Sequence, residues 1–183
     1  MLRLKAVLVV ACAIPLLAAS LVGAAAESAQ SPAVSGQAGT LDTAALNELN
    51  ALYRTLIEAE NRHDLAAVRK VVWQSPLTLF VAKTATAAEG NWAGFWSTDV
   101  VLRHFADLYA GTFVMDPDYR RVKTVGLTSD VAETYAPLNI TVAYGGQTPV
   151  PKPFLMIVTW LHTSDGWKMA TDIALPIPPA PHF

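Results

Sequence analysis

Apolar residues recur three and four positions apart from Leu46 onward: Leu46, Leu49, Tyr53, Leu56 and Ile57, with Asn47, Glu48, Arg54 and Glu58 between them. That spacing gathers them on one face of an amphipathic helix, with Thr40 or Asp42 as its cap. The helix is predicted to end near Glu60-Asn61-Arg62-His63. Asp64 then reads as the N-cap of a short second helix carrying Leu65, Val68 and Val71, which Ser75-Pro76 closes because the residue before proline is pushed out of the α region. Residues 77–82 form an apolar run of strand length, followed by an Ala, Thr and Gly-rich loop at 84–90 and an aromatic segment with Trp92, Phe95 and Trp96. Ser97 or Asp99 caps a third helix that buries Val100, Val101, Leu102, Phe105 and Leu108, with Gly111 just past its end. From Phe113 the pattern turns to β, with strands expected over 119–127, 131–144, 153–163 and 167–175. Turn signals separate them at Thr128-Ser129-Asp130, Gly145-Gly146 and Ser164-Asp165-Gly166. Helices first and antiparallel strands after them predict an α+β domain, with helices across one face of a curled sheet.

The chain before the first helix has a different character. Arg3 and Lys5 precede a nearly unbroken apolar stretch at 6–22, and Ala24 and Ala26 supply the small-x-small pattern of a signal peptidase site. This predicts a signal peptide over 1–26, cleaved before Glu27, and hence an exported protein, periplasmic or extracellular. Residues 27–40 lack apolar periodicity and read as a disordered spacer, residues 41–176 as the domain, and residues 177–183 as a Pro-rich tail. The sole cysteine, Cys12, lies in the leader, so the mature chain is expected to have no disulfide, thiol nucleophile or thiolate zinc site. Losing Arg3 and Lys5 takes the net charge from −2 to about −4. With Arg120-Arg121-Val122-Lys123 as its densest basic cluster, the chain is not expected to bind nucleic acid. After cleavage no membrane association is expected.

Motifs of common chemistries are absent: there is no Gly-x-Ser-x-Gly elbow, no His-Glu-x-x-His and no phosphate-cradling glycine loop. His63, His104, His162 and His182 lack metal-ligand spacing. Neither a metal nor a cofactor is expected.

The order of elements, the Glu60-Asn61-Arg62-His63-Asp64-Leu65 step out of the first helix, and the Asp165-Gly166-Trp167-Lys168-Met169 start of the last strand resemble the NTF2-like superfamily. The nearest resemblance within it is to the SnoaL-like branch of exported bacterial proteins. It implies a cone: about three N-terminal helices packed on a curled, mostly antiparallel sheet around a cavity. It also implies a homodimer formed through the outer sheet face. Such proteins include isomerases, dehydratases, cyclases and non-catalytic binding domains, so function must be argued from the site.

Strand alternation limits what faces such a cavity. Met156, Val158, Trp160 and His162 share a face with Trp167, Met169, Thr171 and Ile173, which puts His162 and Thr171 among apolar neighbours. Asp172 falls on the opposite face and would reach the interior only through a β-bulge, where desolvation would raise its pKa as acid–base chemistry requires. Tyr135, Asn139 and Thr141 form the polar set of their strand, against Leu138, Ile140 and Val142. The candidate catalytic residues are therefore Asp172, His162 and Tyr135. The candidate pocket-lining residues are Trp92, Phe95, Trp96, Asn139, Trp160, Met169 and Thr171. His104 and Asp107 read as a surface pair on the third helix. Three functions remain open: a binder of a small, largely apolar molecule, a cofactor-independent isomerase or dehydratase, and a protein-association module with a vestigial pocket.

Overall fold

The computed structural model describes residues 41–83, 92–143 and 147–178, leaving aside the side chains of Lys83 and Trp92. The leader, the spacer, the loop at 84–90, the Gly145-Gly146 turn and residues 179–183 of the tail lie outside the described residues. The elements run α1 (Thr43–Asn61), α2 (Leu65–Val71), β1 (Leu79–Lys83), β2 (Trp92–Trp96), α3 (Thr98–Tyr109), β3 (Thr112–Pro117), β4 (Lys123–Gly126), β5 (Val131–Ala143), β6 (Pro151–Thr163) and β7 (Gly166–Pro176).

Local chemistry explains the helix starts. Asp42 caps α1 by accepting from the Ala45 N–H at 2.8 Å, and Asp64 caps α2 by accepting from Ala67 at 2.9 Å. Each satisfies an amide that would otherwise lack an intrahelical acceptor. Ser97 is the N-cap of α3 at φ 78°, but its side chain makes no capping bond. The start of α3 is held instead by the buried Thr98, whose hydroxyl lies 2.8 Å from the Trp73 carbonyl and accepts from the Ser75 N–H at 2.9 Å. Asp99 pairs with Arg69 across to α2 at 3.0 Å.

The seven strands form one sheet in the order β2-β1-β7-β6-β5-β3, with β4 pairing the other half of the same edge of β5. Among the strands of the described residues, only the β1–β7 pair is parallel. The aromatic segment after the first loop is thus an edge strand, and the expected strand at 119–127 shortens to β4 because residues 119–121 turn. The core lies between the inner sheet face and the helices, around Leu49, Tyr53, Phe105, Val158, Trp160 and Met169.

Two features position the interior. Edge strand β3 is closed by the end of α1: Asn61 donates to the Met115 carbonyl at 2.8 Å and accepts from the Met115 N–H at 2.7 Å. His63, at φ 56°, places Nε2 3.1 Å from the Phe113 carbonyl. Two side chains therefore act as a surrogate strand on an edge that would otherwise be open. The second feature is a bulge in β7, where Trp160 pairs with Met169 but Thr159 pairs with Thr171, leaving Ala170 unmatched. The bulge falls where β7 changes neighbours. Met169 bridges Val72 and its carbonyl accepts from the Trp73 N–H at 2.8 Å, whereas Thr171 onward pairs with β1.

Candidate active site

The extra residue at Ala170 inverts the alternation of β7, and Asp172 turns inward. It sits in one row across the inner face, Phe95-Phe80-Asp172-Val158-Thr134-Thr124, contributed by β2, β1, β7, β6, β5 and β4 in turn. Its immediate neighbours in that row, Phe80 and Val158, are apolar and buried. Asp172 is 1 % exposed, and neither carboxyl oxygen has a hydrogen-bond partner. Burial pushes its pKa up to about 7, because the charged form loses hydration that nothing replaces.

A second carboxyl comes from the opposite wall. The stripe Leu49, Tyr53, Leu56 continues at the same spacing to Glu60 in the last turn of α1, and Glu60 is 1 % exposed with Oε1 unpartnered. Burial raises its pKa well above the ordinary value, and the charge of Asp172 raises it further. Burial therefore favours the neutral form of both carboxyls, and a charge on Asp172 further disfavours ionisation of Glu60, so the two titrate as a coupled pair.

Two phenols complete the cluster. The hydroxyls of Tyr53 and Tyr109 are buried without partners. Burial first, then the charges of Asp172 and Glu60 for Tyr53, and of Glu60 and Asp64 for Tyr109, hold both well above the usual tyrosine range. Both are therefore hydrogen-bond donors at neutral pH. Tyr109 is fixed by stacking on His63, with ring centroids 4.7 Å apart and planes within 4°, and on Phe105. A chain of rings extends the wall: Phe105 meets Phe80, and His104 stacks on Phe95 at 3.9 Å. His104 is thus packed among aromatics and half-buried, where a surface pair with Asp107 was expected; burial lowers its pKa, opposed by Asp107.

The other candidates are divided between the two faces of the sheet. Thr171 faces outward, in the row of Trp96, Leu79 and Thr159, because the bulge reverses parity after Met169. Trp96 is 56 % exposed on that outer face while Phe95 faces inward, since consecutive residues of β2 alternate. Tyr135 is 44 % exposed and Asn139 is also exposed, because β5 turns its Ala132, Ala136, Leu138 and Ile140 face to the core. His162 shares its face with Trp167 and meets that ring edge-on at 4.9 Å, but it lies exposed at the hairpin end, away from the carboxyls. Trp160 and Met169 are fully buried on the inner face. Glu60, Tyr53 and Tyr109 were not singled out as site residues. The legible signal for Glu60 was its place on the buried stripe of α1.

Among the described residues no group of three or more His, Cys, Asp and Glu side chains is gathered to hold a metal ion. No helix there is long and apolar enough to cross a membrane.

No protein-family model matches the sequence, and no curated protein matches it. Solved structures do. An NTF2-like superfamily protein from Salmonella enterica superimposes with a TM-score of 0.63 at 9 % identity, over 75 % of this chain and 94 % of its own. The chain has the NTF2-like fold. A candidate dehydratase of the NTF2-like family from Streptomyces avermitilis matches at TM-score 0.60 and 16 % identity, over 75 % of this chain and all of its own. A ketosteroid isomerase-like protein from Erwinia carotovora atroseptica matches at 0.61 and 15 %, with the same two coverages. In all, 221 chains of solved structure match, and a fold this widely shared does not fix a reaction, so the chemistry rests on the buried residues of this one.

Proposed function

We propose that this NTF2-like domain binds a small, largely apolar molecule between helices and sheet and moves a proton on it without a cofactor, as an isomerase or dehydratase does. The observation that carries this reading is the pair of unpartnered buried carboxyls, Asp172 and Glu60, on facing walls. Leaving a buried polar group unsatisfied costs about 1–3 kcal/mol, which is large against a net stability of about 5–15 kcal/mol. Two carboxyls and two phenols in that condition argue against a vestigial pocket, which would be filled by apolar side chains at lower cost. Asp172 is the proton acceptor. Protonated Glu60 and the hydroxyls of Tyr53 and Tyr109 are donors for an oxygen on which negative charge develops. Phe80, Phe105 and Val158 provide the apolar surround that keeps Asp172 basic enough to act near neutral pH.

The matching substrate type is a carbonyl compound with an acidic neighbouring C–H. The test is deuterium wash-in from D2O into a panel of small enolisable ketones and unsaturated carbonyl compounds, followed by NMR. Wild type is expected to exchange at least one of them, and Asp172→Asn to lose about 10²–10⁴-fold of that rate. Equal rates in wild type and Asp172→Asn would overturn the assignment. Binding without exchange across the panel would reduce the domain to a binder.

The leader pattern supports export, and the step out of α1 at residues 60–65 with the entry to β7 at residues 165–169 supports a place in the SnoaL-like branch. N-terminal sequencing of the protein released by an expressing bacterium is expected to begin at Glu27. The exposed Val114, Val125 and Tyr135 on the outer sheet face support a homodimer, and sedimentation equilibrium is expected to give twice the mass of the chain, a monomer mass overturning it.

A further inference from the structure

Tyr53 belongs to two environments. Its hydroxyl is buried and senses the charges of Asp172 and Glu60, while the residue also floors a surface depression of about 150 Å³ walled by Asn50, Arg54, Tyr119 and Val122. The residue is nonetheless fully shielded from solvent. Tyr119 does much of the covering: its ring meets Tyr53 edge-on, with centroids 6.5 Å apart and planes at 74°. The guanidinium of Arg54 lies 3.8 Å from the centre of the Tyr119 ring, a cation–π contact that holds the ring in place.

The depression is also linked to the interior by polar groups. The Thr124 hydroxyl donates to Asn50 Oδ1 at 2.9 Å and lies 2.9 Å from the Thr134 hydroxyl, which accepts from Trp160 Nε1 at 2.9 Å. Thr134 stands in the same inner row as Asp172, one strand beyond Val158. Two other depressions, one beside Arg121 and Asn139 and one beside His162 and Trp167, include none of Tyr53, Glu60, Tyr109 and Asp172.

We infer that small molecules reach the buried carboxyls through the Asn50–Tyr119 depression, with Tyr119 as a gate latched by Arg54 and as the side chain that sets the size of what passes. The inference rests on reading the interior as a ligand site. Tyr119 suits the role because its backbone is tied down while its ring is only half-buried: the Asp118 N–H donates to Pro137 at 2.9 Å and the Arg121 N–H to Asp118 at 2.8 Å. The ring can swing by side-chain rotation with the turn in place, at the cost of one exposed cation–π contact worth about 0.5–1 kcal/mol and the edge-on contact with Tyr53, worth about 0.5–1.5 kcal/mol.

The test needs no knowledge of the ligand. Cys12 is the sole cysteine, so a Cys12→Ser background makes any introduced thiol unique. Val158→Cys puts that thiol beside Asp172, and its rate of reaction with methyl methanethiosulfonate measures access to the interior. Tyr119→Ala is expected to raise the rate by about tenfold and Arg54→Ala by less, as removing a lid or its latch would. His162→Ala, at the far depression, is expected to leave it unchanged. Melting temperatures and a low-urea series separate access through a mouth, which is insensitive to urea, from access by unfolding. An unchanged rate in Tyr119→Ala, an equal rise in His162→Ala, or a rate that tracks urea in every variant would overturn the gate. Gated access together with failed deuterium wash-in would sink the catalytic reading alone, and successful wash-in with ungated access would sink the gate alone.

Discussion

A carboxyl that ionises near pH 7 in the folded chain and near 4 in the unfolded one ties folding to pH. Asp172 is raised from 3.8 to about 7, so the unfolded chain loses this proton first as pH rises. The stability contributed by the protonated carboxyl is complete below about pH 4 and is lost progressively up to about pH 7, by about 4 kcal/mol at 1.36 kcal/mol per unit. Glu60 acts in the same direction. Urea unfolding at pH 5 and pH 8 is expected to show wild type weakening with rising pH and Asp172→Asn weakening less, the remaining loss being that of Glu60. Tyr53→Phe is expected to behave in the opposite sense to an ordinary core mutation. It removes a buried hydroxyl with no partner, so stability holds or rises by about 1 kcal/mol, while deuterium wash-in slows for want of a donor. The sequence marked Asp172 as a possible buried acid but passed over Glu60. A glutamate at the end of an amphipathic helix ordinarily points to water, and only the facing sheet makes this one interior.

At the scale of elements, the polar step after α1 has a mechanical purpose. Asn61 pairs both backbone groups of Met115, and His63 reaches the Phe113 carbonyl while supporting the ring of Tyr109. Asn61→Ala is expected to cost about 1–3 kcal/mol, since two buried backbone groups lose their partner. Hydrogen exchange is expected to quicken at Met115 in β3, with the helical circular dichroism unchanged. Asp64→Ala should cost about 1 kcal/mol through the lost cap of α2, read as a shift in urea midpoint. The caps were legible because capping is local: Asp42 and Asp64 each bond an amide three residues on. The bulge at Ala170 was legible only as a condition for bringing Asp172 inside. It coincides with the bond from the Trp73 N–H to the Met169 carbonyl, which joins residues far apart in the chain and leaves no periodic trace.

At the scale of the whole molecule, the sheet divides the candidates into two populations that no single strand reveals. His162, Tyr135, Asn139, Thr171 and Trp96 lie on the outer face or the rim; Asp172, Trp160, Met169 and Phe95 face the helices. His162→Ala and Tyr135→Phe are accordingly expected to change stability by less than about 0.5 kcal/mol and to leave wash-in at the wild-type rate. What the sequence by itself determined was the helices, the caps of α1 and α2 and the β-rich second half, because periodicity and capping act over a few residues. Tertiary structure alone decided that Glu60 and Asp172 are both buried between helices and sheet, that Thr171 turns away and that Tyr119 packs on Tyr53. Those outcomes depend on which strand lies beside which and on a one-residue change of register, and the desolvation that gives the two acids their chemistry arises only when the helices close over the sheet.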